Sequence, residues 1–276
     1  MKMIEKKIKG LKEIYDKYDV FFIDLWGVVH NGIQLYPEAI EVLENLYKLN
    51  RRFVLMSNAP RPSKDVENFL LNLKMDKIFT KNIFTSGEAA LKSLRQNVYG
   101  KNFYHLGPKR DNSLIKEFEK NKTSLKKADF ILCTGLLDNH EESLDFYKDL
   151  LKNYIQIKMI CTNPDLIVHR GSKQEYCAGA LAALFQELGG KVIYFGKPYP
   201  EIYKFCTNND EKVLVIGDNI RTDIKGANNM RFDSLLITNG IHKDEFLKLT
   251  LENYEKVLEK YGVKVNYIKK NWLGKI

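Results

Sequence analysis

The stretch Val20-Phe21-Phe22-Ile23-Asp24-Leu25-Trp26-Gly27-Val28-Val29-His30 decides the fold. Its first four residues are uninterruptedly apolar and rich in β-formers, the pattern of a strand buried on both faces, and a carboxylate follows at once. Runs of the same kind recur at Phe53 to Met56, Ile83 to Thr85, Val192 to Phe195, Val213 to Ile216 and Leu235 to Ile237. Helical patterns separate them. Short buried strands alternating with helices predict an α/β fold built on a doubly wound parallel sheet. A ligand site in such a sheet lies beyond the carboxyl ends of the strands, where the loops gather.

The polar residues that follow these runs point to one edge: Asp24 after the first, Ser57 and Asn58 after the second, Lys197 behind Val192 to Phe195, and Asp218 behind Val213 to Ile216. Asp223 stands five residues further on, in Gly217-Asp218-Asn219-Ile220-Arg221-Thr222-Asp223. Carboxylates gathered near one point repel and raise one another's pKa, so a cation is expected among them. All-oxygen ligation favours magnesium. Lys197 either balances part of this charge or makes an ordinary salt bridge.

At 276 residues the chain suits one large domain or two unequal ones, on the usual prior of roughly 100 to 200 residues per domain. Residues 1 to 18 place Ile4, Ile8, Leu11, Ile14, Tyr15 and Tyr18 at helical spacing, which predicts a helix packed on the core. Residues 100 to 190 carry their own strand-like runs at Phe103 to Leu106, Phe130 to Cys133 and Ile157 to Cys161. They read as an inserted α/β domain, with 1–99 and 191–276 forming the core. The net charge of +9 is spread along the chain without a nucleic-acid motif, so no nucleic-acid partner is expected. No stretch approaches the ~18 consecutive apolar residues of a spanning helix, and the lysine-studded N-terminus lacks the apolar core of a signal peptide. Cys133, Cys161, Cys177 and Cys206 fit neither a zinc site nor a disulfide framework. Reduced thiols in a cytoplasm are expected.

Four segments in this order resemble the motifs of the haloacid dehalogenase superfamily: Phe21 through Val29, Leu55-Met56-Ser57-Asn58, Gly196-Lys197-Pro198, and Val215 through Asp223. Each is short, and together they are specific. The middle of the chain is similar to the C2-type cap of the class IIA branch, which holds sugar-phosphate, nitrophenyl-phosphate and pyridoxal-phosphate phosphatases; Thr134-Gly135-Leu136, Thr162-Asn163-Pro164-Asp165 and Gly196 through Glu201 carry that likeness. The resemblance implies a Rossmann-like core with a cap, and a magnesium-dependent phosphohydrolase acting on a phosphorylated small molecule. Asp24 would be the nucleophile, Ser57 and the amide of Asn58 would hold phosphoryl oxygens, and Lys197 would offset the charge. Asp24, Asp218, Asp223 and the backbone carbonyl of Trp26 would hold Mg2+. Asn163, His169 and Arg170 occupy the loop that reads the substrate in this branch, though both charged residues also suit a solvated loop. Relatives of this branch often associate through their caps, which leaves a homo-oligomer open.

One residue departs from the pattern. Superfamily phosphatases carry a second Asp two residues after the nucleophile, an acid for the leaving alcohol and a base for the attacking water, and here that place holds Trp26. An indole does neither. Trp26 either fills space beside the flap or walls a planar substrate, and His30 is the residue nearest in sequence that could supply a proton. Two other outcomes stay open: a non-catalytic module that binds magnesium and a phosphorylated ligand, and an enzyme that cleaves carbon–phosphorus or carbon–halogen bonds.

Overall fold

The computed structural model describes residues 4–140, 143–170, 173–208, 210–246 and 251–271. The chain divides into two units: Met1–Ser57, Glu67–Phe84 and Lys197–Ile276 form the first, and Asn58–Val66 with Thr85–Gly196 the second. The chain lays down β1 (Ile4–Lys7), β2 (Val20–Asp24), β3 (Arg52–Ser57) and β4 (Ile83–Thr85). It continues with β5 (Phe103–Leu106), β6 (Phe130–Cys133), β7 (Lys158–Cys161), β8 (Ile167–Arg170), β9 (Lys173–Tyr176) and β10 (Val192–Tyr194). It closes the first unit with β11 (Val213–Gly217), β12 (Asp233–Ile237) and β13 (Val265–Lys269).

The first unit is built on a seven-stranded sheet in the order β1-β13-β12-β11-β2-β3-β4. The pairs from β1 across to β3 are parallel. From β2 the chain steps outward through β3 to β4, while β11, β12 and β13 step outward the other way. The order therefore reverses between β2 and β11, the place where open α/β sheets form their ligand crevice. Both of these strands are buried along their whole length, which explains their unbroken apolar runs. Each such side chain contributes roughly 1.5 to 3 kcal/mol of burial. The helix Pro37–Lys48 opens on a proline and buries Ala39, Val42, Leu43 and Leu46, spaced for one helical face. It lies on β3, and Asn50, at φ 50°, turns the chain out of it.

Of the segment 1 to 18 expected to be helical, residues 1–3 lie outside the described residues and residues 4–18 do not form the helix. Ile4, Ile8, Leu11, Ile14 and Tyr18 are buried, but by β1 and the two short 3-10 turns Leu11–Glu13 and Tyr15–Lys17. Strand β13 offers an open edge, and β1 takes it in register, Ile4 opposite Val265 and Lys6 opposite Tyr267. Gly10, extended at φ −164°, breaks what would have been the middle of the helix.

The second unit has a four-stranded parallel sheet, β10-β7-β6-β5, and a two-stranded antiparallel hairpin, β8-β9. Its core includes Leu106, Ile131, Tyr147, Met159, Leu181 and Phe185. The run Val192 to Phe195, expected in the large sheet, contributes β10 here, with Val192 opposite Met159. Its residues are only half-buried, as suits an edge strand, and an apolar run carries no mark of which sheet it will join. Among the described residues no helix is long and apolar enough to cross a membrane.

Candidate active site

The neighbouring strands β2 and β11 bring Asp24, the last residue of β2, and Asp218, the first residue past β11, to one end of the sheet. Beyond Asp218 the chain makes a single π-turn, Ile220–Ile224, entered through Asn219, whose Oδ1 accepts the amide of Arg221 at 2.9 Å. Such wide turns cluster at functional sites. This one directs Asp223 back toward the sheet, where its Oδ2 accepts the amide of Asn219 at 3.1 Å. Asp24, Asp218 and Asp223 are all buried, and each offers an oxygen within 4.8 Å of the others.

Lys197 joins this cluster from the segment that re-enters the first unit rather than from a strand of the large sheet. Its ammonium donates to Asp24 Oδ1, to Asp223 Oδ1 at 2.6 Å and to the carbonyl of Met56 at 3.3 Å. Burial works against the charge on this ammonium, yet the carboxylates of Asp223 and Asp24 hold its pKa above the ordinary value. Burial pushes Asp24 well above the usual carboxylate range; Lys197 opposes that shift, and the charges of Asp223 and Asp218 reinforce it. Asp218 is pushed up to about 7 by burial and by repulsion from Asp223, against the pull of backbone hydrogen bonding.

When all three carboxylates are ionised, one ammonium leaves two negative charges uncompensated in a buried site. That donor set, oxygens only with a deficit of two positive charges, suits a hard divalent cation. The backbone is shaped around it. Ile241 donates its amide to Asp218 Oδ2 at 2.7 Å. A Cβ on Gly240 would stand 2.0 Å from that oxygen, and one on Gly27, at φ +88°, would stand 2.2 Å from it. Two loops thus approach the Asp218 carboxylate more closely than any residue with a side chain permits.

Trp26 lies in the flap that follows Asp24, half-buried. Its ring meets the ring of His30 edge-on at 5.1 Å, and the far edge of the indole lies so close to Gly32 that a Cβ there would come within 2.6 Å. His30 is buried, stands between Trp26 and Phe69, and accepts the amide of Gly32 on Nδ1 at 2.9 Å. It is therefore built in as a prop for the flap.

Ser57 closes β3 and is buried. In the second unit, Asn58 Nδ2 donates to Asp165 Oδ1 at 3.2 Å, and Asn163 Oδ1 accepts the amide of Asp165 at 3.0 Å, so the turn after β7 is tied to the residue behind Ser57. His169 and Arg170 have their backbones in β8, opposite Gln174 and Lys173, and their side chains lie outside the described residues. Sequence reasoning missed the Gly240-Ile241 cradle, because a backbone amide leaves no mark in the residue types.

Residues 21–120 match the family model described as haloacid dehalogenase-like hydrolase, and residues 194–261 match a second, described as HAD-hydrolase-like. The chain belongs to the haloacid dehalogenase-like hydrolases. Among solved structures of this superfamily, a haloacid dehalogenase-like hydrolase from Brucella suis superposes with a TM-score of 0.83 at 27% identity, covering 96% of this chain and 99% of that one. Among curated haloacid dehalogenase relatives, the 4-nitrophenylphosphatase of Schizosaccharomyces pombe is 24% identical over 86% of this chain and 89% of its own. The ribonucleotide monophosphatase NagD of Escherichia coli is 26% identical over 79% of this chain and 86% of its own.

Proposed function

We propose that this hydrolase is a magnesium-dependent phosphatase of small phosphorylated molecules, working through a covalent intermediate on Asp24. The observation that carries the proposal is the buried ammonium of Lys197, shared between Asp24 and Asp223 beside Asp218. The phosphatase names of the relatives support it.

In this reading an Asp24 oxygen attacks phosphorus, the bond from phosphorus to the leaving oxygen breaks, and water then displaces the phosphate from Asp24. Ser57 and the amide of Asn58 hold the phosphoryl oxygens. Lys197 offsets the charge on the nucleophile and on the transferring group, and its bonds to Asp223 and to the Met56 carbonyl keep it in place when the Asp24 oxygen is esterified. Asp24, Asp218, Asp223 and the carbonyl of Trp26 would hold Mg2+, which when bound supplies Lewis-acid stabilisation of the phosphoryl oxygens. The second unit takes the role of the cap in this reading, and Asn163, His169 and Arg170 are the residues assigned to substrate recognition. The four cysteines are free and buried, which supports a reducing, cytoplasmic compartment.

The propped indole of Trp26 is a flat wall two residues from the nucleophile, which favours substrates whose leaving group is planar and needs no proton. The test is a screen of phosphorylated metabolites with magnesium chloride, the wild-type chain against Asp24→Asn. Release of phosphate by both proteins alike, or by neither, refutes the proposal.

A pH prediction follows from Asp218. Its pKa in the folded, metal-free protein is about 7, above the ordinary 3.8, so the folded state binds this proton more tightly than the unfolded chain does. Its contribution to stability is present below the ordinary value and is lost as pH rises toward 7. Metal-free wild type should therefore lose thermal stability relative to Asp218→Asn between pH 5 and pH 8. Added magnesium, which needs the ionised carboxylate, should raise the wild-type midpoint more at pH 8 than at pH 5. Calorimetric scans of both proteins, with and without magnesium, check this, and a wild-type shift that is flat across that range would contradict it.

A further inference from the structure

His242 follows directly on Ile241, the residue whose amide holds Asp218 Oδ2 at 2.7 Å. Its imidazole is nine-tenths buried, with Nδ1 2.6 Å from Glu245 Oε1. A carboxylate only accepts, so Nδ1 carries the proton and donates it. Tyr261 secures the acceptor from the other side, its hydroxyl donating to Glu245 Oε1 at 3.0 Å and lying 3.2 Å from Oε2. The imidazole also meets the Tyr261 ring edge-on at 5.4 Å. His242 Nε2, by contrast, is buried without a hydrogen-bond partner among the described residues.

That unpartnered nitrogen is informative. A buried polar atom left unsatisfied is costly, and a leucine or methionine would fill the same volume without the cost. Packing alone does not account for an imidazole here. What the imidazole alone provides is the Nδ1 donor that fixes residue 242 to Glu245, three residues along, and through it to Tyr261 in the helix Leu251–Tyr261. The turn so anchored is Gly240-Ile241. It has little freedom to drift, because its glycine already approaches the Asp218 carboxylate more closely than a Cβ allows. A small rotation of this turn would aim the Ile241 amide away from Asp218 and change the direction in which the carboxylate presents its other oxygen.

We infer that His242 is a positioning residue for the divalent cation: hydrogen-bonded to Glu245, it holds the Gly240-Ile241 turn that orients the carboxylate of Asp218. The inference rests on the reading of Asp218 as a metal ligand. Groups behind a ligand that fix its direction typically change metal affinity by about 10- to 100-fold.

The experiment is a titration of the full chain with magnesium chloride alone, followed by isothermal calorimetry and by the rise in thermal midpoint, so that no substrate or turnover enters. His242→Ala should raise the magnesium concentration at half-effect by about 10-fold or more. His242→Asn places an amide donor where Nδ1 stands and should stay within about threefold of wild type, whereas His242→Gln, whose amide reaches the Nε2 position, should behave like the alanine variant. Glu245→Gln, which keeps the shape and weakens the charge-assisted bond, should fall between, and it reports on the same contact should His242→Ala fail to fold. An unchanged half-effect concentration in His242→Ala, with the response lost in Asp218→Ala, overturns the inference and leaves the metal site standing. Equal weakening in the Asn and Ala variants also overturns it, since volume rather than the hydrogen bond would then be responsible. A full magnesium response in Asp218→Ala overturns the metal-ligand reading, and this inference with it.

Discussion

If Asp24 is the proposed nucleophile, Asp24→Asn should abolish turnover of every phosphorylated substrate, a loss on the order of ten-thousandfold or more, the scale on which removing a covalent nucleophile disables an otherwise intact site. The substitution preserves shape inside a fully buried strand, and Lys197 keeps its bonds to Asp223 and to the Met56 carbonyl, so the fold survives. It also removes a charge that burial and the neighbouring carboxylates disfavour. Without metal the variant should therefore melt no lower than wild type, which separates a chemical defect from a structural one. Wild type mixed with a labelled aryl phosphate and quenched in acid should carry label as an acyl phosphate, and Asp24→Asn should carry none. Label retained by the variant would place the nucleophile elsewhere.

The second large effect belongs to Trp26. Protonation of the leaving oxygen contributes roughly 100- to 10,000-fold, and the indole does not provide it; His30 accepts the Gly32 amide on Nδ1 and packs edge-on against Trp26. Aryl and acyl phosphates, which leave as stable anions, should be hydrolysed faster than alkyl phosphates by a factor within that range. Trp26→Asp should raise the alkyl rate selectively and narrow the ratio. Trp26→Phe separates the two roles of the ring: it keeps an aromatic ring beside His30, gives up the reach of the indole to Gly32, offers no proton, and should leave the ratio as in wild type. Steady-state rates on matched phenyl and alkyl phosphates measure all three proteins. Equal wild-type rates on the two classes would show that another group delivers the proton.

Much of the cluster was legible in the sequence because a strand fixes the place of the residue that ends it. Asp24 and Ser57 stand directly behind wholly apolar runs, Asp218 one glycine further on, and such a run has few alternatives to a buried strand. Asp223 was legible by its distance from Asp218. Lys197 was found through the wrong element: β10, which precedes it, pairs with β7 in the smaller sheet, and strand pairing is a tertiary choice that an apolar run does not record. The N-terminal segment misled for a related reason. Ile4, Ile8, Leu11 and Ile14 satisfy a helical period, yet the edge of β13, some 260 residues away, offers β1 a ladder that local spacing cannot announce. His242 stood unremarked in Ile241-His242-Lys243-Asp244-Glu245, because its meaning depends on a backbone amide beside it and on Tyr261, neither of which alters the local pattern.

The reversal of strand order between β2 and β11 also bears on how the chain is made. Asp24 leaves the ribosome well ahead of its neighbour in the sheet, β11, which follows almost 190 residues later. The β3 side of β2 is covered first, with the opposite edge exposed until residues 213–217 appear. During that interval the nascent sheet presents a bare apolar border, the kind of surface that chaperones hold and that seeds misassembly. Asp24 then has neither Lys197 nor its partner carboxylates beside it. The three-carboxylate cluster is therefore assembled only after residues 213–223 have emerged, in step with closure of that border, and a chain stopped before residue 213 would have the bare border and no cluster.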